Sequence, residues 1–306
     1  MPRMELTFHT LDVFTDRLFT GNPLAVVRDA DALTTEQMQA VAREFNLSET
    51  VFFQKPENPA HTAKVRIFTP GAEIPFAGHP TIGAAILAAR LKAPDPNSDL
   101  DCIIALEQKI GIVRVGVRLR KDQVAYAEFD APKLPEEETS LPPVEMLAAA
   151  VGLLPREIGF ANHRPTRFAA GNSFAFVPVA SLEAMGRARV NSQHWQTAVG
   201  GQGFVGVYLY CRETVHTTSH FHARMFAPDV GIAEDPATGS AAVTFAGVIQ
   251  KFDALPDGHH KRIIEQGYEM GRPSIISLAL DVAGGRLRNV RIGGSAVCVT
   301  EGRITI

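Results

Sequence analysis

The sequence predicts two similar domains, each combining short strands with a buried central helix, and three observations carry this prediction. At roughly 150 residues per domain, 306 residues are enough for two domains with separate cores. Segments of alternating apolar and polar residues, which are typical of strands, recur along the chain. Similar motifs also occur in the same order in both halves, which indicates an internal duplication.

A proline-rich segment at 131–144, APKLPEEETSLPPV, marks the predicted domain boundary. Its four prolines cannot be accommodated in a helix interior or a central strand, so we interpret the segment as a linker. The sequence therefore predicts an N-terminal domain at 1–130 and a C-terminal domain at 131–292. The last residues, 293–306, are expected to form a strand that packs back on the N-terminal domain.

Three pairs of motifs support the duplication. Each pair is short, but the three occur in the same order at a separation of about one domain length. The pairs are GNPLAVV at 21–27 with GNSFAFV at 171–177, RIFTP at 66–70 with RMFAP at 224–228, and AGHPTIGAA at 77–85 with ATGSAAV at 237–243.

Three helices can be placed. Thr34 and Gln37 form a capping-box pattern, and the apolar residues that follow repeat at helical spacing up to about Asn46. The segments 81–91 and 239–252 are rich in alanine and nearly free of charge, which predicts buried central helices. Each central helix starts at a glycine-containing turn.

Composition excludes several function classes. The formal net charge is −3, from 30 Lys+Arg and 33 Asp+Glu, so neither nucleic acid nor an anionic membrane is expected as a partner. The widely spaced Cys102, Cys211 and Cys298 predict neither a disulfide framework nor a zinc cluster. The charged N-terminus lacks the apolar run of a secretion signal, and no stretch of about 20 apolar residues occurs. We expect a soluble, cytoplasmic protein.

The two helix starts are the main candidate binding elements. Free backbone N–H groups and the positive end of the helix dipole favour a carboxylate or a phosphate there. Gly78 and Gly239 permit close approach to the backbone, and a polar residue, His79 or Ser240, follows each glycine. In a duplicated protein, two such turns can face one another across an interdomain cleft.

The sequence resembles the phenazine-biosynthesis PhzF-like family over almost its whole length. The resemblance rests on the strings FTGNPLAVV, NLSETVFF, RIFTPGAEIPFAGHPTIGAA, APDVGIAEDPATGSAA and EQGYEMGRPSII. It implies an α+β fold of the diaminopimelate epimerase type. In that fold two pseudo-symmetric domains each wrap a curved, mainly antiparallel sheet around a central helix, and the active site lies between them.

The resemblance also implies a function and its residues. The expected activity is that of a cofactor-independent isomerase of the phenazine-biosynthesis type, which moves a proton between carbons of a small carboxylate-bearing substrate and binds no metal. The family tends to form homodimers. The implied catalytic residues are Glu49 as the acid/base with His79, Asp235 and Ser240, and the implied substrate-binding residues are Gly78, Thr238 and Gly239.

Cysteine separates this chain from related racemases. The epimerases and racemases of the superfamily use one cysteine at each helix start, as thiolate base and thiol acid. Alignment places Ala77 and Ala237 at those two positions. A two-cysteine racemase is therefore excluded, and a single Glu49 suits a proton shift on one face of the substrate.

Three further motifs have features of known binding sites. Residues 201–206 match GxGxxG, but a strand pattern follows where a dinucleotide site needs a helix. His216, His220 and His222 have the spacing of a metal site but no accompanying carboxylate pattern, so a structural role is favoured over metal binding. Residues 257–260 read as an exposed polar turn.

Two alternatives to the isomerase remain at this point. One is a non-catalytic protein that binds a small molecule, against which an intact Glu49 argues, because a binder needs no general base. The other is a lyase- or hydrolase-type enzyme on the same scaffold.

Overall fold

The computed structural model describes residues 4–93 and 99–306. The chain divides into two units: unit 1 contains the residues up to Asp130 together with Gly293–Ile306, and unit 2 contains Ala131–Ile292. The helices are α1 (Thr35–Phe45), α2 (Gly78–Lys92), α3 (Val144–Ala150), α4 (Leu182–Arg187), α5 (Ser192–Ala198) and α6 (Gly239–Asp253).

Strands dominate both units. They are β1 (Glu5–Val13), β2 (Asn22–Val27), β3 (Glu49–Gln54), β4 (Ala63–Phe68), β5 (Glu73–Ile74), β6 (Leu100–Gln108), β7 (Gly111–Leu119), β8 (Ala125–Asp130), β9 (Glu136–Glu138), β10 (Thr166–Ala170), β11 (Asn172–Pro178), β12 (Gly206–Cys211), β13 (Phe221–Ala227), β14 (Ile232–Asp235), β15 (Gly258–Gln266), β16 (Ser274–Ala283) and β17 (Arg286–Thr305). Strand β17 begins in unit 2, and its later residues pair with β1 in unit 1.

In unit 1 the sheet curves around α2. The helix contacts β1, β2, β3, β6, β7 and β8, and every residue from Gly78 to Ala89 is buried. A helix with apolar residues all round its axis is stable only when it is enclosed, which is why its sequence lacks an amphipathic stripe. The expectation of a central buried helix is confirmed, and the helix begins three residues before the predicted 81–91.

Helix α1 lies outside this core and follows local sequence signals. The Thr34 hydroxyl accepts the Gln37 N–H while the Gln37 side chain accepts the Thr34 N–H, so the predicted capping box is present. Asn46 ends the helix with a positive φ of 50°. The apolar face of the helix, formed by Met38, Val41 and Ala42, packs in a cluster with residues of β3 and β4.

Unit 2 repeats the pairing order of unit 1. The ladders β1–β2, β2–β3, β3–β4 and β4–β5 are antiparallel, parallel, antiparallel and antiparallel. The ladders β10–β11, β11–β12, β12–β13 and β13–β14 follow the same sequence. After the central helix, β6 pairs in parallel with β4, and β15 pairs in parallel with β13. This correspondence supports the duplication, and the α+β class with a central helix in each unit is confirmed.

The segment 131–144 is more than a linker. Residues Glu136–Glu138 form β9, which pairs antiparallel with β10. Glu138 receives hydrogen bonds from Arg167 Nε at 2.6 Å and from Ser173 Oγ at 2.5 Å. Prolines flank a short edge strand here without interrupting it. The interpretation as a linker is wrong for these three residues, because they form a strand in the sheet of unit 2.

Among the residues that the structure describes, no helix is both long and apolar enough to cross a membrane.

Candidate active site

Glu49 and His79 lie together in unit 1. Glu49 is the first residue of β3, beside Leu24 in the parallel ladder with β2. His79 is the second residue of α2. Their side chains are 12% and 5% exposed, and Glu49 Oε2 lies 3.4 Å from His79 Nε2. The helix start and the strand start thus place a carboxylate and an imidazole in contact in a nearly dry environment.

His79 is uncharged at neutral pH. Burial lowers the pKa of its imidazole to about 3, and a hydrogen bond to the backbone of Pro23 opposes this effect only in part. A proline has no N–H, so its carbonyl must accept the hydrogen bond from a ring N–H of His79. Because Nε2 faces Glu49, the donor is Nδ1, which leaves Nε2 with a lone pair. A protonated Glu49 can therefore donate a hydrogen bond to His79.

A second polar group lies at the start of α6 in unit 2. Asp235 ends β14, Thr238 caps α6, and Gly239 and Ser240 are its first two residues. The Thr238 hydroxyl donates to Asp235 Oδ2 at 2.6 Å, and both residues are buried. Ser240 is half-buried. The local neighbours Asp235 and Thr238 are thus brought into direct contact, as are Glu49 and His79 in unit 1.

Sequence reasoning missed Gln266, the last residue of β15. This fully buried side chain accepts the Thr238 N–H through Oε1 at 3.2 Å. Its Nε2 donates to the Asp235 carbonyl at 2.7 Å and to Thr238 Oγ1 at 3.0 Å. Gln266 stands inside the quoted string EQGYEMGRPSII, but a buried glutamine has no distinctive pattern in a single sequence.

Tyr208 was also missed. Its ring is fully buried in β12, and burial together with the nearby charge of Asp235 raises the pKa of its hydroxyl above the usual range. The proton therefore stays on the hydroxyl, so Tyr208 can act only as a neutral polar group beside Asp235. A tyrosine within an apolar strand gives no signal of this kind.

Matching ion pairs hold the hairpins that lead to both helix starts. Arg66 in β4 makes two hydrogen bonds of 2.8 Å to Glu73 in β5. Arg224 in β13 makes bonds of 2.8 and 2.9 Å to Glu234 in β14. Bidentate pairs of this kind fix orientation as well as distance. The arginines were part of the recognised repeat RIFTP and RMFAP, but their glutamate partners were not.

These pairs correct one alignment. Gly78 stands five residues after Glu73, and Gly239 stands five residues after Glu234. Ala77 and Thr238 are the caps of the two central helices. The counterpart of Ala77 is therefore Thr238, and the assignment of Ala237 was wrong by one residue, because the loops before the two glutamates differ in length.

A thiol pair is absent from the corrected positions as well. Neither Ala77 nor Thr238 carries a thiol. The three cysteines are free and lie in β6, β12 and β17. A racemase with a cysteine at each helix start does not fit this chain.

The histidine-rich segment at 216–222 makes hydrogen bonds to carboxylates and to backbone. His222 is fully buried, with Nδ1 2.8 Å from Glu265 and Nε2 3.0 Å from Glu269. Burial lowers the pKa of His222, but its hydrogen bonds to the two carboxylates outweigh burial and raise the pKa above its ordinary value. His220 instead accepts the Ile263 N–H, and the His216 N–H donates to Glu265. Each of the three histidines thus has a structural partner, and His216 and His222 share Glu265.

The GxGxxG string forms a turn, and its last residue, Gly206, opens β12. The prediction that a strand follows it is confirmed. The Asp257 carboxylate accepts the N–H groups of Gly284 and Gly285. Residues 258–260 begin β15 and pair with β16, so the prediction of a turn at 257–260 is wrong for these three residues.

Comparison with known proteins gives a consistent result. The sequence profile of the phenazine biosynthesis-like proteins, PhzC-PhzF, matches residues 11–302. An uncharacterized isomerase of Mesorhizobium japonicum is 51% identical, over 96% of this chain and 97% of its own. The trans-2,3-dihydro-3-hydroxyanthranilate isomerase of Pseudomonas aeruginosa is 33% identical, over 96% and 97% of the two chains.

A solved structure agrees with the sequence relatives. The PhzF-family phenazine biosynthesis protein of Bacillus anthracis superposes with a TM-score of 0.88 at 25% identity, covering 99% of this chain and 100% of its own. With the fold, the Glu49–His79 pair and the thiol-free helix starts, these matches identify the chain as an isomerase that belongs to the phenazine biosynthesis-like PhzC-PhzF family.

Proposed function

We propose that the protein is a cofactor-independent isomerase that moves a proton between two carbons of a small carboxylate-bearing substrate, with Glu49 as the general acid/base. The observation that carries the proposal is the Glu49–His79 pair, with 3.4 Å between Oε2 and Nε2. Glu49 is 12% exposed, so a small molecule can reach a carboxylate that is otherwise shielded from water.

The proposed reaction has two proton transfers. The ionised Glu49 takes a proton from one carbon, and the electron pair of that C–H bond enters the adjacent π system. The double bonds shift, and the carboxyl group of Glu49 returns the proton to a second carbon. Substrate and product contain the same atoms at the same overall oxidation level, so the sequence consumes no oxidant or reductant.

His79 assists this cycle as a neutral acceptor. Between the two transfers Glu49 is a carboxylic acid, whose O–H can donate to Nε2 of His79. A cationic imidazole would instead hold Glu49 as a carboxylate and hinder its protonation. The low pKa of His79, about 3, therefore supports a base that must alternate between two charge states.

The group at the start of α6 is proposed to contribute binding and polarisation. Asp235 and Ser240 act as polar partners of the reacting substrate in this proposal. The N-terminal turns of α2 and α6, at Gly78 and at Thr238 and Gly239, can supply backbone N–H groups to a carboxylate. This division of roles follows the residues that the family resemblance implies.

Solvent deuterium exchange tests the proposal. The wild-type protein would be incubated in D₂O with trans-2,3-dihydro-3-hydroxyanthranilate, the compound in the name of the Pseudomonas aeruginosa relative, and with a panel of amino and hydroxy carboxylates. We expect deuterium at a carbon position of at least one compound. Glu49→Gln should slow incorporation by about 10²- to 10⁴-fold, the usual contribution of a general acid/base.

Glu44→Gln is the matched control, because Glu44 is exposed on α1 close to Glu49 in sequence. This variant should exchange at the wild-type rate. Equal rates for Glu49→Gln and the wild type would refute the mechanism. Tight binding of a carboxylate without any exchange would favour the non-catalytic alternative.

Compartment and assembly are part of the same proposal. Three free cysteines fit a reducing compartment such as the cytoplasm. The homodimer implied by the family resemblance remains a prediction, which sedimentation equilibrium of the purified protein would test.

A further inference from the structure

We propose that Gln266 and Gln108 are positioning residues that fix the N-terminal turns of α6 and α2 for catalysis. The inference rests on the proposed function, because it concerns the helix starts to which that function assigns substrate binding. Neither glutamine is expected to touch the substrate. Gln266 is fully buried and Gln108 is 8% exposed, so each acts through the residues that it holds.

Gln266 holds the α6 start at three points. Its side-chain amide binds the N–H and the hydroxyl of Thr238 and the main-chain carbonyl of Asp235. Since Nε2 donates to Thr238 Oγ1, the hydroxyl proton of Thr238 is directed to Asp235 Oδ2, 2.6 Å away. One side chain therefore sets the position of the Asp235 backbone and the direction of the hydrogen bond on its carboxylate.

Gln108 reaches the α2 start by a longer route. Its Nε2 donates to Thr81 Oγ1 at 3.0 Å, and the Thr81 hydroxyl donates to the Ala77 carbonyl at 2.7 Å. Ala77 is the cap of α2 and lies two residues before His79. The contact therefore ties the end of β6 to the turn that orients the partner of Glu49.

The duplication shows that this arrangement is a feature of the shared scaffold. Gln108 and Gln266 are the last residues of the equivalent nine-residue strands β6 and β15, and a glutamate precedes each. Glu107 accepts the backbone N–H groups of the residues 50 and 49 positions before it, and Glu265 does the same at the same spacings. The Glu-Gln pair thus holds a loop with one side chain and a helix start with the other, in both units.

The two glutamines differ in how completely they are satisfied. Both ends of the Gln266 amide are bonded, whereas Gln108 Oε1 is buried with no hydrogen-bond partner among the described residues. Removing the Gln266 amide breaks three hydrogen bonds, and removing the Gln108 amide breaks one. Gln266 is therefore the stronger test of the inference.

The test compares Gln266→Met and Gln266→Glu with Gln250→Met and Gln250→Glu. Met keeps the length of the side chain without its hydrogen bonds, and Glu keeps the shape but removes the two N–H donors. Gln250 lies on α6 in the same unit and donates to the Gly285 carbonyl, away from the helix start. The readouts are kcat and KM for the compound that exchanges in the wild type, thermal unfolding, and amide hydrogen exchange of residues 235–240.

We expect Gln266→Met to lower kcat at least about tenfold, since small misplacements of catalytic groups cost large factors in rate. KM should rise as well, because the turn that Gln266 holds is proposed to bind the substrate carboxylate. Amide exchange at Thr238 should rise at least about tenfold. Gln266→Glu should regain activity relative to the wild type as pH falls, because a protonated carboxyl group again offers a donor to the Asp235 carbonyl. The Gln250 variants should match the wild type.

Two results would overturn the inference while leaving the proposed function intact. One is wild-type kcat in Gln266→Met. The other is a lowered unfolding temperature with unchanged kcat and an unchanged pH profile in Gln266→Glu, which would mark a purely structural residue. A wild-type protein that exchanges no compound would refute the proposed function itself, and the inference would fall with it.

Discussion

The neutral state of His79 has a measurable consequence for stability. In the unfolded chain a histidine has a pKa near 6.5, whereas burial lowers the pKa of His79 to about 3 in the folded protein. Between these values the unfolded chain binds a proton that the native protein does not bind. The free energy of unfolding must therefore fall as pH falls from about 6.5 towards 3. Above about pH 6.5 the neutral His79 makes its full contribution to stability.

The size of the effect follows from 1.36 kcal/mol per pH unit. Relative to neutral pH, His79 should remove about 2 kcal/mol from the free energy of unfolding at pH 5, and about 3 kcal/mol at pH 4. His79→Asn removes the titrating group and keeps an N–H that can reach the Pro23 carbonyl. The unfolding free energy of the wild type minus that of the variant should fall by about 2 kcal/mol from pH 7 to pH 5, and by about 3 kcal/mol from pH 7 to pH 4.

Urea unfolding at pH 7, 6, 5 and 4 measures this difference, and the Hε1 resonance of His79 reports its protonation directly. His194→Asn is the control, since His194 is exposed on α5. A wild-type-minus-variant difference that stays constant over this range would refute the reasoning. So would a His79 resonance that titrates near pH 6, and the role of Nε2 as an acceptor for Glu49 would then be lost.

Two further predictions concern the scaffold of unit 2. His222→Leu removes the buried imidazole that Glu265 and Glu269 share, so the free energy of unfolding should fall by about 3–5 kcal/mol in urea titrations; a fall under about 1 kcal/mol would contradict a stabilising role of these two contacts. Gly267→Ala places a Cβ within 2.4 and 2.6 Å of two backbone carbonyl oxygens at a φ of +79°, so thermal unfolding should show a loss of about 2 kcal/mol or more. Gly271→Ala, also at positive φ but with nothing within 4 Å of its Cβ, should lose less unfolding free energy. Equal losses in the two variants would show that the close contacts at Gly267 do not cause its destabilisation.

Local signals predicted the parts of the fold that depend on neighbours in sequence. The capping box of Thr34 and Gln37 and the left-handed Asn46 bound α1 as expected, because both ends of that helix are set by residues within four positions. The alanine-rich central helices were found because enclosure leaves a uniform apolar composition. The repeat of pairing order was visible only through short motifs at strand ends and helix starts.

The remaining features depend on residues far apart in the chain. Glu49 and His79 are 30 positions apart, and only the family resemblance joined them before the structure did. Gln266 reaches Thr238 across 28 positions, and no periodicity marks such a contact. The spacing of His222 from the other two histidines resembled that of a metal site. Its true partners, two carboxylates, could not be recognised because they lie more than 40 positions later in the chain. Single-sequence patterns carry no information on such pairs.

The two copies of the scaffold differ at the position of the proposed base. In unit 1 the first residue of β3 is Glu49, opposite Leu24, and in unit 2 the first residue of β12 is Gly206, opposite Phe174. A Cβ at Gly206 would lie 2.5 Å from the Phe226 carbonyl oxygen, so no other side chain fits there.

The duplicated position therefore holds a carboxylate in one unit and no side chain in the other, and the helix caps Ala77 and Thr238 carry no thiol. Inversion of a stereocentre needs bases on opposite faces of the carbon, which a symmetric pair of positions can supply. Here neither pair of equivalent positions supplies two bases, because the counterpart of Glu49 is Gly206 and both helix caps lack a thiol. This asymmetry supports a proton shift in which a single carboxylate, Glu49, both removes and returns the proton on one face of the substrate.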